Sequence, residues 1–322
     1  MPGLTSVVVV AADSGPLLRE CVERVLASRS AVELVLVDNA STDGEPQRVV
    51  AAHAGDERLH VLHNVANLGF GPACNRGAVI ARGDALLFLN PDCLIEPETI
   101  ACLRGAADAD AAIGVLGVMV CAPDGRPARG NRRREPTLKR ALMTLSGLAR
   151  LESRWPVFAG VEMPCPAPAA EVRCDVASAG VREAASTDAQ TETVEAVSGA
   201  CLMVPRAVFG RLRGFDEDYF LHCEDLDLCR RARDAGRRVA IARDVRVRHL
   251  QGSSSRSRPW FVSRHKHRGM WRYFRKFDPA ARNPLLRGLV WCGIWVHFAL
   301  TAPLAALKRN GRYKDGAIQR LD

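Results

Sequence analysis

Ala85-Leu86-Leu87-Phe88-Leu89-Asn90-Pro91-Asp92 joins an unbroken apolar strand to a polar turn, and the fold is read outward from it. Five apolar residues without alternation describe a strand covered on both faces, as in a parallel sheet flanked by helices. The same grammar runs upstream. Ser6–Ala11 is a β-branched run of strand length, and Pro16 opens a helix with Leu17, Leu18, Cys21, Val22 and Val25 on one face. Glu33–Val37 and Leu59–Leu62 are further strands, and Pro72–Ala81 has a helical pattern. The β-α-β-α order predicts a mostly parallel α/β sheet with right-handed crossovers. Downstream, Ile113–Val120 reads as a strand, Arg126–Arg140 as a basic stretch, and Val197–Val204 as renewed order. A helix is predicted over Glu224–Ala235, closing on Gly236 as a left-handed cap. The stretch of about 165–195, rich in Ala, Pro, Ser, Thr and Glu, reads as a variable loop or insertion.

The 322 residues are 48% hydrophobic and 25% charged, which fits a folded chain able to bury a large core. A net charge of +9 points to phosphate-bearing partners: nucleic acid, anionic lipid or a diphosphate substrate. Eleven cysteines are scattered without a C-x-x-C pair or zinc spacing, so reduced thiols are expected. Cys74, Cys102 and Cys201 read as small core residues. The opening Met-Pro-Gly-Leu-Thr-Ser lacks the basic and apolar segments of a signal peptide, so a cytoplasmic location is expected.

Ligands of open parallel sheets bind at the carboxyl ends of the strands, and three polar clusters fall there. Asp38-Asn39-Ala40-Ser41 offers a carboxylate to the imide N–H of a uracil or thymine base; an Asx-turn explains it as well. Asn67-Leu68-Gly69-Phe70-Gly71-Pro72-Ala73-Cys74-Asn75-Arg76 offers glycines for close approach, a helix start for a phosphate, and Arg76 as a charged contact. A plain loop-to-helix turn fits that pattern equally. Asn90-Pro91-Asp92 places Asp92 to hold a divalent metal against a diphosphate, or is simply a turn.

Taken together and in order, V-D-N-A-S-T-D-G, N-L-G-F-G-x-A-x-N-x-G, L-N-P-D and the run Gly214-Phe215-Asp216 through Glu224-Asp225-Leu226-Asp227 to Gly236 resemble the family 2 glycosyltransferases. The likeness is strongest to the bacterial rhamnosyltransferase-like branch and covers roughly residues 5–277. It implies a GT-A fold, a nucleoside-diphosphate-sugar donor and a metal-dependent inverting mechanism with Mg²⁺ or Mn²⁺. By resemblance, the donor contacts are Asp38, Asn39, Ser41, Asn67, Gly69, Asn75, Arg76, Asn90 and Asp92. Asp92 matches the second Asp of the family's D-x-D motif and Asn90 replaces the first. His249, before Gly252-Ser253, is then expected to share the metal with Asp92. Asp225 is expected to be the catalytic base, with Glu224 supporting it or meeting the acceptor beside Gly199 and Ala200. Asp227 instead suits a helix pair with Arg231. Ala11-Ala12-Asp13 departs from the family, which usually carries a Tyr-Asn or similar pair there.

Residues 1–125 are thus expected to bind the nucleotide sugar, and 126–280 the acceptor. Residues 281–322 form an apolar and basic segment expected to associate with the inner face of the plasma membrane. Pro259–Phe277 interleaves aromatics with Arg264, Lys266, Arg268, Arg272, Arg275 and Lys276. That pattern suits either nucleic acid or a diphosphate; beside the upstream site, diphosphate is favoured and nucleic acid is not expected as a partner. Gly288–Leu307 is apolar enough to span a bilayer, but His297 and Pro303 favour an interfacial or re-entrant anchor, the remaining alternative being a buried soluble helix. The expected reaction is transfer of L-rhamnose from dTDP-rhamnose to a polyprenyl-diphosphate-linked or saccharide acceptor in envelope polysaccharide assembly. Another hexosyl or N-acetylhexosaminyl transfer is the alternative. A sugar nucleotidyltransferase would carry a Gly-rich basic signature near the first strand, which Ala11–Pro16 lacks.

Overall fold

A computed structural model of the chain describes residues 3–128, 130–163, 190–250 and 258–318, with side chains as far as Pro303. The apolar runs become the central strands. β1 (Thr5–Ala11), β2 (Val32–Asp38) and β4 (Ala85–Leu89) are buried along their whole length, while β3 (Leu59–His63) is a half-buried edge. They pair in parallel in the order β3-β2-β1-β4. The intervening helices are α1 (Leu17–Leu26), α2 (Glu45–Ala52) and α3 (Phe70–Ile80).

The sheet then changes direction. β5 (Cys93–Leu94), α4 (Thr99–Ala109) and β6 (Ile113–Cys121) follow β4. The short β7 (Arg132–Arg133), α5 (Leu138–Ser146), β8 (Thr191–Thr193) and β9 (Ala196–Val197) lead to β10 (Cys201–Pro205). β10 runs antiparallel between β4 and β6, with Cys201 opposite Leu89. After α6 (Arg206–Arg211) and α7 (Glu224–Asp234), β11 (Arg238–His249) lies parallel to β6 and takes β5 and β8 as antiparallel partners. Nine of the described strands form one sheet ordered β3-β2-β1-β4-β10-β6-β11-β5, with β8 on β11, and β7 and β9 pair antiparallel in a second, two-stranded sheet. The larger sheet takes strands from both sides of residue 125. Helices α1 and α4 pack on one face through Leu18, Val22, Ile100 and Leu103, and α3 and α7 on the other through Ala73, Cys74, Leu228 and Ala232.

Several expectations change here. Order at Val197–Val204 is two strands, because Ser198–Ala200 turns the chain between sheets. Within the insertion read as loop, Thr191–Thr193 is a strand that covers the flank of β11; residues 164–189 lie outside the described part. Cys102 is exposed on the outer side of α4 rather than in the core, whereas Cys74 and Cys201 are buried. Both are free thiols. Within the basic stretch 126–140, Arg126 and Lys139 are exposed, while other arginines are paired. Arg132 pairs with Glu192, Arg134 with Glu152 and Arg140 with Glu195, while Glu135 takes both Arg230 and Arg233. These pairs tie the middle segment to α7 and the sheet.

The chain ends in α8 (Pro259–Phe277) and α9 (Pro284–Ile318), joined by a 3-10 turn at Pro279–Arg282. Only 6% of the apolar stretch Pro284–Pro303 is buried, so this helix lies outside the core.

Gly69 shows how tightly the carboxyl edge is assembled. Its φ is +92°, and a Cβ there would overlap the carbonyl oxygen of Phe220, to which Phe70 N donates at 2.9 Å. The glycine serves approach of backbone to backbone. Gly69→Ala is expected to lower unfolding free energy by roughly 2 kcal/mol, through left-handed strain and displaced loops. Denaturant titration checks this.

Candidate active site

Asp38 ends β2 and Asn39 follows it, and both are buried although polar. Asp38 Oδ1 accepts the Ser41 N–H at 2.9 Å, the Asx-turn contact, while Oδ2 lies 3.2 Å from His63 Nδ1. The Asn39 amide is committed within the protein. Its Nδ2 donates to Asn67 Oδ1 and Gly69 O, and its Oδ1 accepts from Asn64 Nδ2 and Leu68 N. Asn39 and Asn67 therefore lock the loop ahead of α3. Asn75 reaches the other way: Nδ2 donates to Phe215 O and Glu217 Oε1, and Oδ1 accepts from Phe215 N. Arg76 is exposed on α3. The unusual first loop is held in place by Asp13, whose Oδ1 accepts from Thr42 N and Oγ1, and by the Ser41 hydroxyl, which accepts from Asp13 N at 3.4 Å.

The turn after β4 is pinned at both ends. Asn90 N donates to Ala200 O at 2.8 Å, and Leu250 N donates to Asp92 O at 3.0 Å. Pairing of β5 with β11 sets His249 opposite Cys93 and brings its Nε2 to 3.0 Å from Asp92 Oδ1. Asp92, Cys93 and His249 offer three donor atoms mutually within 4.8 Å. A carboxylate oxygen and an imidazole nitrogen, both partly open to solvent, fit a divalent ion that keeps several other oxygen ligands. Cys93 fits less well. Burial, followed by the neighbouring Asp92 charge, holds its thiol far above the usual range and therefore protonated.

The second half of the site descends from Ala200. Gly199 N donates to Asp225 Oδ2 at 3.0 Å, and Leu226 N donates to Asp225 Oδ1 at 2.8 Å. Arg133, on β7, donates to Asp225 Oδ2 as well. Burial alone would push the Asp225 carboxyl up; the Arg133 charge and these hydrogen bonds outweigh it and hold the group below its ordinary range. Glu224 differs. Burial, then the Asp225 charge, push its carboxyl up to about 8, and its buried Oε2 has no hydrogen-bond partner. Adjacent carboxyls are therefore pushed in opposite directions, Asp225 toward its ionised form and Glu224 toward its protonated one.

The turn feeding α7 is strained. His222 and Cys223 both have positive φ, 69° and 72°, a conformation that costs free energy for non-glycine residues and persists where packing enforces it. The enforcement comes from α8: a Cβ on Gly269 would meet His222 O at 2.7 Å and Cys223 at 3.3 Å. Burial, then the Lys266 charge, push the His222 imidazole down to about 4. Ion pairs complete the docking of α8. Arg272 binds Asp216 and Asp218, and Lys276 binds Asp216 and Asp227. Two of the cations expected to serve a diphosphate are thus spent on holding α8 to the loop before α7. Asp227 also takes Arg231, the helix pair read from its spacing.

A relative from Mycobacterium tuberculosis strain H37Rv, N-acetylglucosaminyl-diphospho-decaprenol L-rhamnosyltransferase, is 31% identical over 297 residues, 84% of this chain and 88% of its own. Residues 6–163 match the family model described as glycosyl transferase family 2. The chain belongs to glycosyl transferase family 2. Shorter matches include rhamnosyltransferase WbbL of Escherichia coli K12, 36% identical over 64 residues, 20% of this chain and 24% of that one. Among solved structures, GalNAc-T7 with UDP, GalNAc and Mn²⁺ aligns with a TM-score of 0.59 and 17% identity, covering 83% of this chain and 47% of that one. The mannosyltransferase PcManGT from Pyrobaculum calidifontis, in complex with GDP-Man and Mn²⁺, gives 0.54 and 17%, covering 100% and 81%. The sheet and its flanking helices are those of the GT-A fold.

In this glycosyltransferase the sequence reading missed Arg133, Cys93 and His222. Cys93 is visible only as the neighbour of Asp92. Arg133 lies in the run Arg132-Arg133-Arg134, where nothing local marks the arginine that crosses to Asp225. Gly252 and Ser253, expected after His249, lie outside the described residues.

Two outcomes follow from the carboxylate environments. The unfolded Glu224 titrates near 4.5 and the folded one near 8, so between these values the folded state binds more protons and loses stability as pH rises. Glu224→Gln removes that loss. Its melting temperature should match the parent below the lower value and exceed it by several degrees above the upper one, about 2–4 °C for each kcal/mol recovered. Calorimetry across pH checks it. Arg133→Met removes the cation that holds Asp225 down, so its carboxyl, followed by NMR, should titrate about one unit or more higher.

Proposed function

We propose that the chain transfers L-rhamnose from dTDP-L-rhamnose, with inversion, to a polyprenyl-diphosphate-linked saccharide acceptor at the cytoplasmic face of the plasma membrane. Likeness over 84% of the chain to a relative named for L-rhamnosyl transfer onto a decaprenol-diphosphate sugar supports the sugar and the acceptor class. One observation carries the mechanism: Asn90 N to Ala200 O, and Gly199 N to Asp225 Oδ2, connect the Asp92–His249 corner to the Glu224–Asp225 pair through two consecutive residues. Leaving-group charge and nucleophile activation are thereby held at one edge of the sheet.

In this reading residues 1–125 hold the donor, with Asp38 accepting the imide N–H of the base, and residues 126–280 hold the acceptor. Asp92 and His249 are the residues that would hold Mg²⁺ or Mn²⁺. Bound there, the ion supplies Lewis-acid charge to the departing diphosphate. Asp225 is ionised and keeps an unused lone pair on Oδ1, so it can take the proton of the acceptor hydroxyl. The acceptor oxygen forms its bond to the anomeric carbon as the bond to the diphosphate oxygen breaks on the opposite side, and the configuration inverts. Glu224, protonated, can donate a hydrogen bond to the acceptor and add no charge. The exposed apolar surface of Pro284–Pro303 lies against the bilayer as an interfacial anchor.

The test is a panel of nucleoside-diphosphate sugars with Mn²⁺ or Mg²⁺ and a lipid-diphosphate acceptor. Rhamnosyl transfer, abolished by EDTA and giving the inverted anomer by NMR, is expected. Asp225→Asn should lower kcat by about 10²–10⁴-fold. Turnover insensitive to EDTA would remove the metal role of Asp92 and His249, and full activity of Asp225→Asn would remove the base.

A further inference from the structure

α5 and the 3-10 turns that follow it, at Leu148–Leu151 and Pro156–Phe158, have no place in the site or in the core. None of the nine residues of α5 is buried. Leu142 and Leu145, one turn apart, are exposed to 51% and 63%, and Leu148, Leu151, Trp155 and Val157 continue the apolar surface, with Trp155 at 45%. A helix whose apolar side faces solvent needs an occupant for that side.

We infer that this segment, residues 138–158, is a second membrane-docking element that lies on anionic phospholipid beside α9. This rests on the interfacial reading of α9 given above. Charge selects the partner. Lys139, Arg150 and Arg154 are exposed in the segment, and its single acid, Glu152, is turned inward onto Arg134. Residues 279–303 contain no acid at all and carry exposed Arg282 and Arg287. Apolar side chains rimmed by cations alone match the acyl boundary and headgroups of an anionic leaflet. Tryptophan placement agrees. The five tryptophans of the chain, at 155, 260, 271, 291 and 295, all lie in this segment, α8 or α9, and none in the α/β core. Tryptophan concentrates at bilayer interfaces because its ring is apolar and its N–H polar.

The two elements also share an origin. Asp278 Oδ2 accepts the Leu138 N–H at 2.6 Å, at the first residue of α5, while Oδ1 accepts the Ala280 N–H at 2.9 Å in the turn leading to α9. One side chain thus ties the start of α5 to the turn that leads into α9, at one corner of the molecule. Contact at two places also restrains rotation about α9, which a single interfacial helix leaves free. A lipid-linked sugar would then meet the acceptor half in a defined orientation.

Co-sedimentation of the full chain with vesicles of phosphatidylcholine and phosphatidylglycerol in a two-to-one ratio, and with phosphatidylcholine alone, tests this. The native chain is expected to bind the mixed vesicles more strongly, and less so in high salt. Leu142→Ser/Leu145→Ser/Trp155→Ser should lose about tenfold or more in partitioning, because the apolar area buried in lipid is gone, with an unchanged Tm because those side chains are exposed. Equal partitioning of triple variant and parent overturns the inference. If Leu285→Ser/Leu289→Ser then still releases the protein, the α9 reading stands and only the α5 element falls. Failure of the native chain to bind either vesicle overturns both. A lipid-free native dimer that the triple variant converts to monomer assigns the surface to a second copy and likewise overturns it.

Discussion

The antiparallel entry of β10 between β4 and β6 is the constraint on which the rest of the molecule depends. Its backbone hydrogen bonds fix Cys201 beside Leu89 and, one step beyond, Ala200 O against Asn90 N. Residues more than a hundred positions apart become neighbours at the carboxyl edge of the sheet. Gly199 is then within reach of Asp225, and β7 follows β9 to deliver Arg133. A sheet hydrogen bond is individually worth about 1 kcal/mol net, but a one-residue slip of β10 would exchange Cys201 and Met203, packed on one face, with Leu202 and Val204, packed on the other. That register precision carries over to the chemistry.

Charge is used twice in this protein, and the net value of +9 conceals the division. Within the α/β body the arginines are largely paired. The 132–140 run is consumed by Glu192, Glu152 and Glu195, Glu135 binds two arginines of α7, and Asp216 and Asp227 hold α8 through Arg272 and Lys276. These contacts set the positions of elements more than they add stability, since exposed pairs contribute little and buried ones are offset by desolvation. Other cations stay exposed: Lys139, Arg150, Arg154, Arg282 and Arg287 sit beside exposed leucines and tryptophans at α5 and α9, and Arg76, Arg211 and Arg213 lie on the α/β body. Composition alone suggests one basic surface. The fold sorts it into internal clamps and an outward-facing rim.

Neighbouring Glu224 and Asp225 show how environment assigns roles to similar groups. Both are buried at the start of α7, behind two consecutive residues held at positive φ. Asp225 faces Arg133 and two backbone N–H groups; Glu224 faces the beginning of α3, where a Cβ on Gly71 would lie 3.7 Å from its own Cβ, and its Oε2 has no hydrogen-bond partner. The strained turn turns these two acids in different directions, and α8 packed on it keeps the strain from relaxing.

Much of the fold was legible locally. β4 begins and ends where its apolar run does, β1, β2 and β6 differ from their runs by a residue at one or both ends, and Gly236 caps α7 at φ +72°. Hydrophobic periodicity and cap chemistry are written in adjacent residues, so one chain suffices to read them. The polar clusters at strand ends were legible for the same reason. Their partners were not: the sequence could not say that Asn39 and Asn75 spend their amides inside the protein, that Gly69 yields to Phe220 rather than to a ligand, or that Arg133 rather than Arg132 meets Asp225. Those outcomes depend on contacts across 30 to 150 positions, set by strand order and register and by the close approach of packed backbones. The sequence by itself determined a parallel α/β core with acids at its carboxyl edge. Only tertiary structure decided which acid is charged, which cations are free and where the apolar surface faces out, because burial and pairing are properties of assembled neighbours.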